Sequence, residues 1–173
     1  MSPDGPFLAI SPGTFPGGFD HAPPGGLCLS VFLFVRDAQG RLLLGRYAED
    51  ARWTSLGGLD MGRVRKYAEG WTLPSSHLKI GEDPRDAARR VAAEMLGLPD
   101  LRFGEPRVAT EVYELARLPG QRHHDVLFLV DAEGAPTDVR APPWYAELAW
   151  RDPATTTFGR GHEDVVARWR ALS

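Results

Sequence analysis

The chain carries one cysteine, Cys28, among 173 residues, so an internal disulfide is excluded. That usage fits a reducing cytoplasm better than a stapled extracellular scaffold, and Cys28, set in an apolar run, reads as a small buried hydrophobe rather than a reactive thiol. No stretch approaches the roughly 18 uninterrupted apolar residues of a membrane span. The start, Met1 to Pro6, lacks the basic-then-apolar order of a secretory leader. Positive charge is not in surplus: 20 Lys and Arg against 23 Asp and Glu leave −3 at pH 7. The overall field that gathers nucleic acid is therefore missing. These absences predict a soluble cytoplasmic protein with no membrane partner and with nucleic acid disfavoured.

What is present suits one folded domain, with 43% apolar and 25% charged residues. A chain of this length can hide about 70% of its extended surface, enough for a core without staples. Residues 1–26 stand apart as a Pro/Gly-rich arm. Their Pro and Gly deny helix and most ladder pairing, while Phe7, Leu8, Ile10, Phe15 and Phe19 argue for an arm lying on the domain or on a second subunit. Residues 27–173 form the domain proper.

Leu27 to Val35, LCLSVFLFV, predicts a central strand covered on both faces, and the turn residues Asp37 to Gly40 before Arg41 to Arg46 predict a hairpin. Tyr47 to Gly70 predicts no definite element. Short strands are expected at Trp71–Leu73 and Leu78–Ile80, flanking a turn at Pro74-Ser75-Ser76. A helix follows, capped by Asp83, entered through Pro84, and stopped at Gly97 and Pro99. Val108–Leu115, Asp125–Asp131 and Glu147–Trp150 predict further strands. Gly161–Leu172 predicts a last helix with Val165, Val166, Trp169 and Leu172 on one apolar stripe.

Other catalytic signatures are missing. No serine sits in a G-x-S-x-G elbow, no G-x-x-x-x-G-K-[ST] loop occurs, Gly57-Gly58 alone implies nothing, and Ser75-Ser76-His77 reads as a turn. His123 and His124, adjacent on a strand, point to opposite faces and cannot easily share one ion, and no zinc signature is evident. Arg63, Arg65 and Lys66, near Tyr67 and Trp71, form a basic cluster able to hold phosphates, although such a run is more often a solvated loop.

The order of tight turn, Gly-Glu, capped helix and Gly from Ser76 to Leu98 resembles the Nudix box, G-x5-E-x7-R-E-U-x-E-E-x-G-U, without a gap. Glu82, Arg90, Glu94, Gly97 and Leu98 occupy their family positions; Ser76 replaces the first Gly, Val91 the Glu after Arg, and Met95 the second Glu of the pair. The resemblance runs from about residue 27 to 172. It implies an α/β/α sandwich, with a mixed β-sheet between helices, and a nucleotide-like small molecule as ligand. It implies Mg2+ or Mn2+ as cofactor in an active member, structural roles for Ser76, Glu82, Arg90 and Gly97, and a catalytic and metal-binding role for Glu94. A supplementary carboxylate could come from Glu111, Glu114 or Asp125, with Glu111 the first choice as a metal ligand beside Glu94, and Arg63, Arg65 and Lys66 are the candidate substrate-binding residues.

The substitutions remove two of three helix carboxylates, and neither Val nor Met can coordinate a hard cation. Ala87, Ala88, Val91, Ala92, Met95 and Leu98 then make an apolar stripe of about 140°. Asp86, Arg90 and Glu94, at steps of four, offer a surface ion-pair ladder. The first expectation is a Nudix-fold protein with hydrolysis weak or lost and a ligand-binding or partner-binding role. The second is an active hydrolase of a nucleoside diphosphate derivative, working with Glu94 and carboxylates outside the box. The third is a homodimer built by the arm and the apolar helix face.

Overall fold

The computed structural model describes residues 27–57, 59, 61–79, 81–114, 120 and 122–173, with Tyr113 and Glu114 described through their backbone only. The N-terminal arm and the expected turn at residues 118–122, apart from Gly120 and Arg122, lie outside the described residues.

Strand β1 (Leu27–Val35) is the hub of the fold. It pairs in parallel with β6 (Arg122–Glu133) and antiparallel with β3 (Ser75–His77), while β4 (Arg102–Phe103) and β5 (Arg107–Glu114) pair antiparallel with β6. The result is a mixed five-stranded sheet. Alternate residues of β1 feed two cores: Val31, Leu33 and Val35 face one, and Phe32 and Phe34 face the other. Burial on both faces explains why the strand reads as continuously apolar.

The expected hairpin does not form. β2 (Leu42–Tyr47) leaves the main sheet and pairs with β7 (Tyr145–Arg151) in a second, two-stranded sheet, its one ladder-type link to the β1 end being the Arg36–Leu42 bridge among the described residues. Asp37 does make the turn, its Oδ1 accepting from the N–H groups of Gln39 (3.0 Å) and Arg41 (2.8 Å). Gly45 is required where it stands, since a Cβ there would lie 2.1 Å from the Tyr145 ring.

Two short helices, α1 (Trp53–Gly57) and α2 (Met61–Tyr67), occupy the span expected to lack elements. Trp71 and Thr72 make only isolated bridges. The expected turn at 74–76 is instead the entry to β3, which covers Ser75–His77 rather than Leu78–Ile80. Pairing with β1 overrides local turn preference there.

Helix α3 (Pro84–Arg90) starts as its sequence dictates, with the Asp83 carboxylate accepting from Arg85 N–H at 2.8 Å. It continues as a π-helical segment, Val91–Leu96, closed by Gly97 in the left-handed region at φ 70°. Helix α4 (His162–Ala171) lies on the other face. It buries Val165, Val166 and Trp169, with Trp169 stacked on Phe34 at 4.6 Å between centroids, whereas Leu172, expected on the same stripe, is 46% exposed. The layers are thus helix, sheet, helix. No described helix is long and apolar enough to cross a membrane.

His162 ties α4 to the strand entry: its buried Nδ1 accepts from the Leu73 N–H at 2.9 Å, and its ring meets Phe32 edge-on. Burial, with Arg160 nearby, holds its pKa well below the ordinary 6.5. The unfolded chain therefore binds a proton near pH 6 that the folded chain refuses, and stability falls as pH drops below about 6.5. Denaturant titrations from pH 7 to 5 should show His162→Gln losing up to about 1.4 kcal/mol per pH unit of this slope, the remainder belonging to other groups.

Candidate functional site

The box helix is positioned by one clamp. Arg90 donates from Nε to Glu82 Oε1 at 2.7 Å and from Nη2 to Glu82 Oε2 at 2.8 Å, and Nη2 also donates to the His77 carbonyl at 2.9 Å. Glu82 in turn accepts from the Lys79 N–H at 2.8 Å, so loop, strand end and helix meet at one ion pair. Both side chains are nearly nine-tenths buried. The bonded Arg90 guanidinium holds the Glu82 carboxyl below its usual range and raises Arg90 in turn. Ser76, at the box's first position, donates to the Leu56 carbonyl at 3.0 Å and fastens α1 to β3.

The expected Asp86–Arg90–Glu94 ladder is not built. Arg90 turns back to Glu82, Asp86 pairs with Arg89 at 2.8 Å, and Glu94 points outward, exposed. A bidentate, largely buried partner outcompetes exposed neighbours one turn away.

Val91 and Met95 are 1% and 2% exposed. They belong to the core that also holds Trp53, Tyr47 and Tyr145, and α1 packs directly against the π-helical segment. Trp53 lies 4.4 Å from Tyr47 and 5.0 Å from Tyr145, ring to ring, and its Nε1 donates to the Trp144 carbonyl at 2.9 Å. Trp144 Nε1 donates to the Met95 carbonyl at 2.9 Å, capping a backbone group of the π-helical segment. The apolar stripe is thus covered by the chain's own aromatic residues and is not a free face for a second subunit.

A hard divalent cation does not fit here. It requires several oxygen ligands, and the face offers two buried apolar side chains, with its one glutamate directed to solvent. Nor does Glu111 come to its aid. Glu111 lies in register with Asp125, and its carboxylate is 3.8 Å from Arg168 of α4, on the sheet face opposite the box helix. Glu94 and Glu111, paired as metal ligands on sequence, are separated by the sheet. Of Glu114 only the backbone is described.

The basic cluster on α2 is divided. Arg65 pairs with Glu49 at 2.9 Å and Lys66 lies 5.2 Å from the Tyr67 ring centroid, both at the surface, while Arg63 is half-buried and close enough to pull on Cys28 and His77. Arg65, two residues after Arg63, falls on another face of the helix, so the three side chains do not converge on a single anion.

On the α4 face of the sheet lies a polar cluster that sequence reasoning missed. Cys28 of β1 is in register with Asp125 of β6, and His123, two residues earlier, shares that face. His123 Nε2 is 2.9 Å from Asp125 Oδ1, and the three donor atoms Cys28 Sγ, His123 N and Asp125 O all lie within 4.8 Å of one another. Cys28 is buried, but among polar groups, and burial with the adjacent Asp125 pushes its thiol up to about 12. His77, expected at a turn, sits beside them on β3 with Nδ1 3.4 Å from Ser30 Oγ, and burial lowers its pKa to about 3. The signal was the H-x-D spacing at 123–125, which puts both side chains on one strand face; its partner Cys28 became visible only through the parallel pairing.

Replacing Arg90 by Ala removes its bonds to Glu82, the His77 carbonyl and Ser76 Oγ and should lower stability by about 1.5–3 kcal/mol at pH 7 in urea titrations. Because the Glu82 carboxyl is held low, the difference from wild type should shrink as pH falls through and below the ordinary glutamate range. Val91→Glu, which restores the box residue by name, should cost several kcal/mol, about what an unpaired buried carboxylate costs, read as a drop in thermal midpoint.

Comparison with known proteins agrees on the fold. The sequence model of the NUDIX domain matches residues 26–169. No curated protein sequence matches. Among solved structures, a MutT protein from Methanosarcina mazei Go1 superposes with a TM-score of 0.56 at 18% identity, covering 84% of this chain and 94% of that one. A C. elegans Ap4A hydrolase binary complex gives 0.53 at 18% identity, over 84% and 96%. RenU, a Nudix hydrolase from M. smegmatis, gives 0.52 at 22%, over 84% and 83%.

Proposed function

Given that the chain belongs to the NUDIX domain family, we propose that it has given up box-dependent, metal-assisted diphosphate hydrolysis and serves to bind a nucleotide-like small molecule. The family generally works with divalent ions on nucleotide-derived substrates. The observation that carries the reading is the placement of Val91 and Met95, 1% and 2% exposed, inside the core where the family places carboxylates. A hydrolytic site needs charge neutralisation at the developing phosphate charge, and removing one such group costs about a hundredfold or more in rate. Here two are replaced, and Val91 and Met95 belong to the buried core that also holds Trp53, Tyr47 and Tyr145.

The competing reading, an active hydrolase built on Glu94 with carboxylates from elsewhere, is weakened by topology. Glu111 and Asp125 both belong to the α4 face, across the sheet from Glu94.

The test pairs turnover with binding. Phosphate release is measured with diadenosine polyphosphates, ADP-ribose, nucleotide sugars and nucleoside triphosphates at millimolar magnesium, and the same panel is titrated calorimetrically. Binding of one ligand class without magnesium-dependent turnover is the expected outcome. Turnover at an ordinary enzymatic rate that Glu94→Gln abolishes would overturn the loss of hydrolysis, and failure of every compound to bind would overturn the ligand role.

A further inference from the structure

We propose that Cys28, His123 and Asp125 form a binding site for one borderline transition-metal ion, zinc(II) foremost, on the sheet face opposite the box helix. The inference is independent of the fate of the box, because it uses none of its residues.

The donor set is one thiol, one imidazole and one carboxylate, converging from two neighbouring parallel strands. Thiolate and imidazole select zinc, cobalt and similar ions and are poor ligands for magnesium or calcium. The geometry is close to what coordination needs. In a tetrahedral zinc site adjacent donors stand about 3.3–3.8 Å apart, from metal–ligand bonds of about 2.0–2.3 Å. The three donors here lie within 4.8 Å of one another, and the tightest pair, His123 Nε2 and Asp125 Oδ1 at 2.9 Å, must open by roughly half an ångström. The backbone fixes the approach: register holds Cys28 opposite Asp125, and strand periodicity puts His123 on the same side.

The surroundings suit such an ion. Cys28 and His123 are 6% and 1% exposed, so the site is dry on its protein side, and the groups are rooted in the central strands rather than in a loop. Asp125 Oδ1 is buried with no hydrogen-bond partner, although it lies 2.9 Å from His123 Nε2, so the carboxylate turned toward Cys28 and His123 has an unused acceptor for an ion. Binding exchanges the thiol proton for the ion, which makes a sulfur–metal bond and releases the proton to solvent, while a neutral His123 ligates through Nε2 with its proton on Nδ1. Affinity therefore rises with pH. Three protein ligands leave one place for water or an anion. Arg63 and Arg160 supply positive charge on this side of the sheet and favour an anionic fourth ligand.

Cobalt(II) reads the site directly. The full chain, reduced with a non-thiol phosphine and freed of metal by a chelator, is titrated with cobalt chloride at pH 8. Because Cys28 is the single cysteine, a near-ultraviolet thiolate-to-cobalt band can come from nowhere else. The proposal expects that band to saturate at one equivalent per chain, to be bleached by one equivalent of zinc, and to vanish in Cys28→Ser. Apparent affinity should fall about tenfold or more in Asp125→Asn and in His123→Gln, with circular dichroism confirming that each variant is folded. Absence of the band from the folded wild type at stoichiometric cobalt overturns the proposal. So does a band whose affinity is unchanged in both the Asp125 and His123 variants, which would mark a thiol binding cobalt without its neighbours. Should one of those variants fail to fold, the wild-type saturation and zinc displacement decide together with the other.

Discussion

A helix face that is packed into its own core cannot also be offered to a metal ion, and most of what distinguishes this protein follows from that exclusion. Val91 and Met95 lie against a layer of aromatic rings supplied by α1 and by the β2–β7 sheet. The energy of burying these groups is of the order of 1.5–3 kcal/mol per side chain, a contribution that carboxylates at the same positions would reverse in sign. The backbone of this segment is π-helical over Val91–Leu96, and Trp144 Nε1 donates to the Met95 carbonyl.

The skeleton of the box survives where its role is mechanical. Asp83 caps the helix, Gly97 ends it, and Arg90 joins Glu82 to the His77 carbonyl. These contacts hold loop, strand and helix together whatever chemistry the helix performs, so their retention carries no information about catalysis. Positions 91 and 95 contribute to chemistry only when they carry oxygen, and there the sequence departs. The two classes of residue within one motif thus differ: those that hold the fold are kept, and those at 91 and 95 carry no oxygen.

Two faces of one sheet carry different physics. The box face carries Val31, Leu33 and Val35 of β1 with Val130 and Ala132 of β6, while the α4 face changes along β1 from aromatic packing at Phe32 and Phe34 to polar groups at Ser30 and Cys28. His77 joins from β3, and His123 and Asp125 from β6. The main concentration of buried titratable groups among the described residues therefore lies on the sheet face opposite the box helix, and the two regions meet at His77, whose carbonyl is held by Arg90 and whose ring faces Ser30.

Local chemistry determined a good deal of this. The two-faced burial of β1, the cap and stop of α3, the stripe of α4 and the loss of hard-cation ligands at 91 and 95 all follow from residue type and spacing, because they depend on neighbours a few positions away. Long-range pairing decided the rest. The hairpin expected at 37–40 gave way because β2 gains a full partner in β7, about 100 residues downstream, and only a single bridge beside β1. Glu94 and Glu111 looked like partners until the sheet stood between them, and Cys28 looked like an isolated hydrophobe until the parallel register brought Asp125 and His123 to its side. Periodicity tells which face of its own element a side chain occupies, but which faces meet is set by strand order and register, and those are properties of the folded chain as a whole.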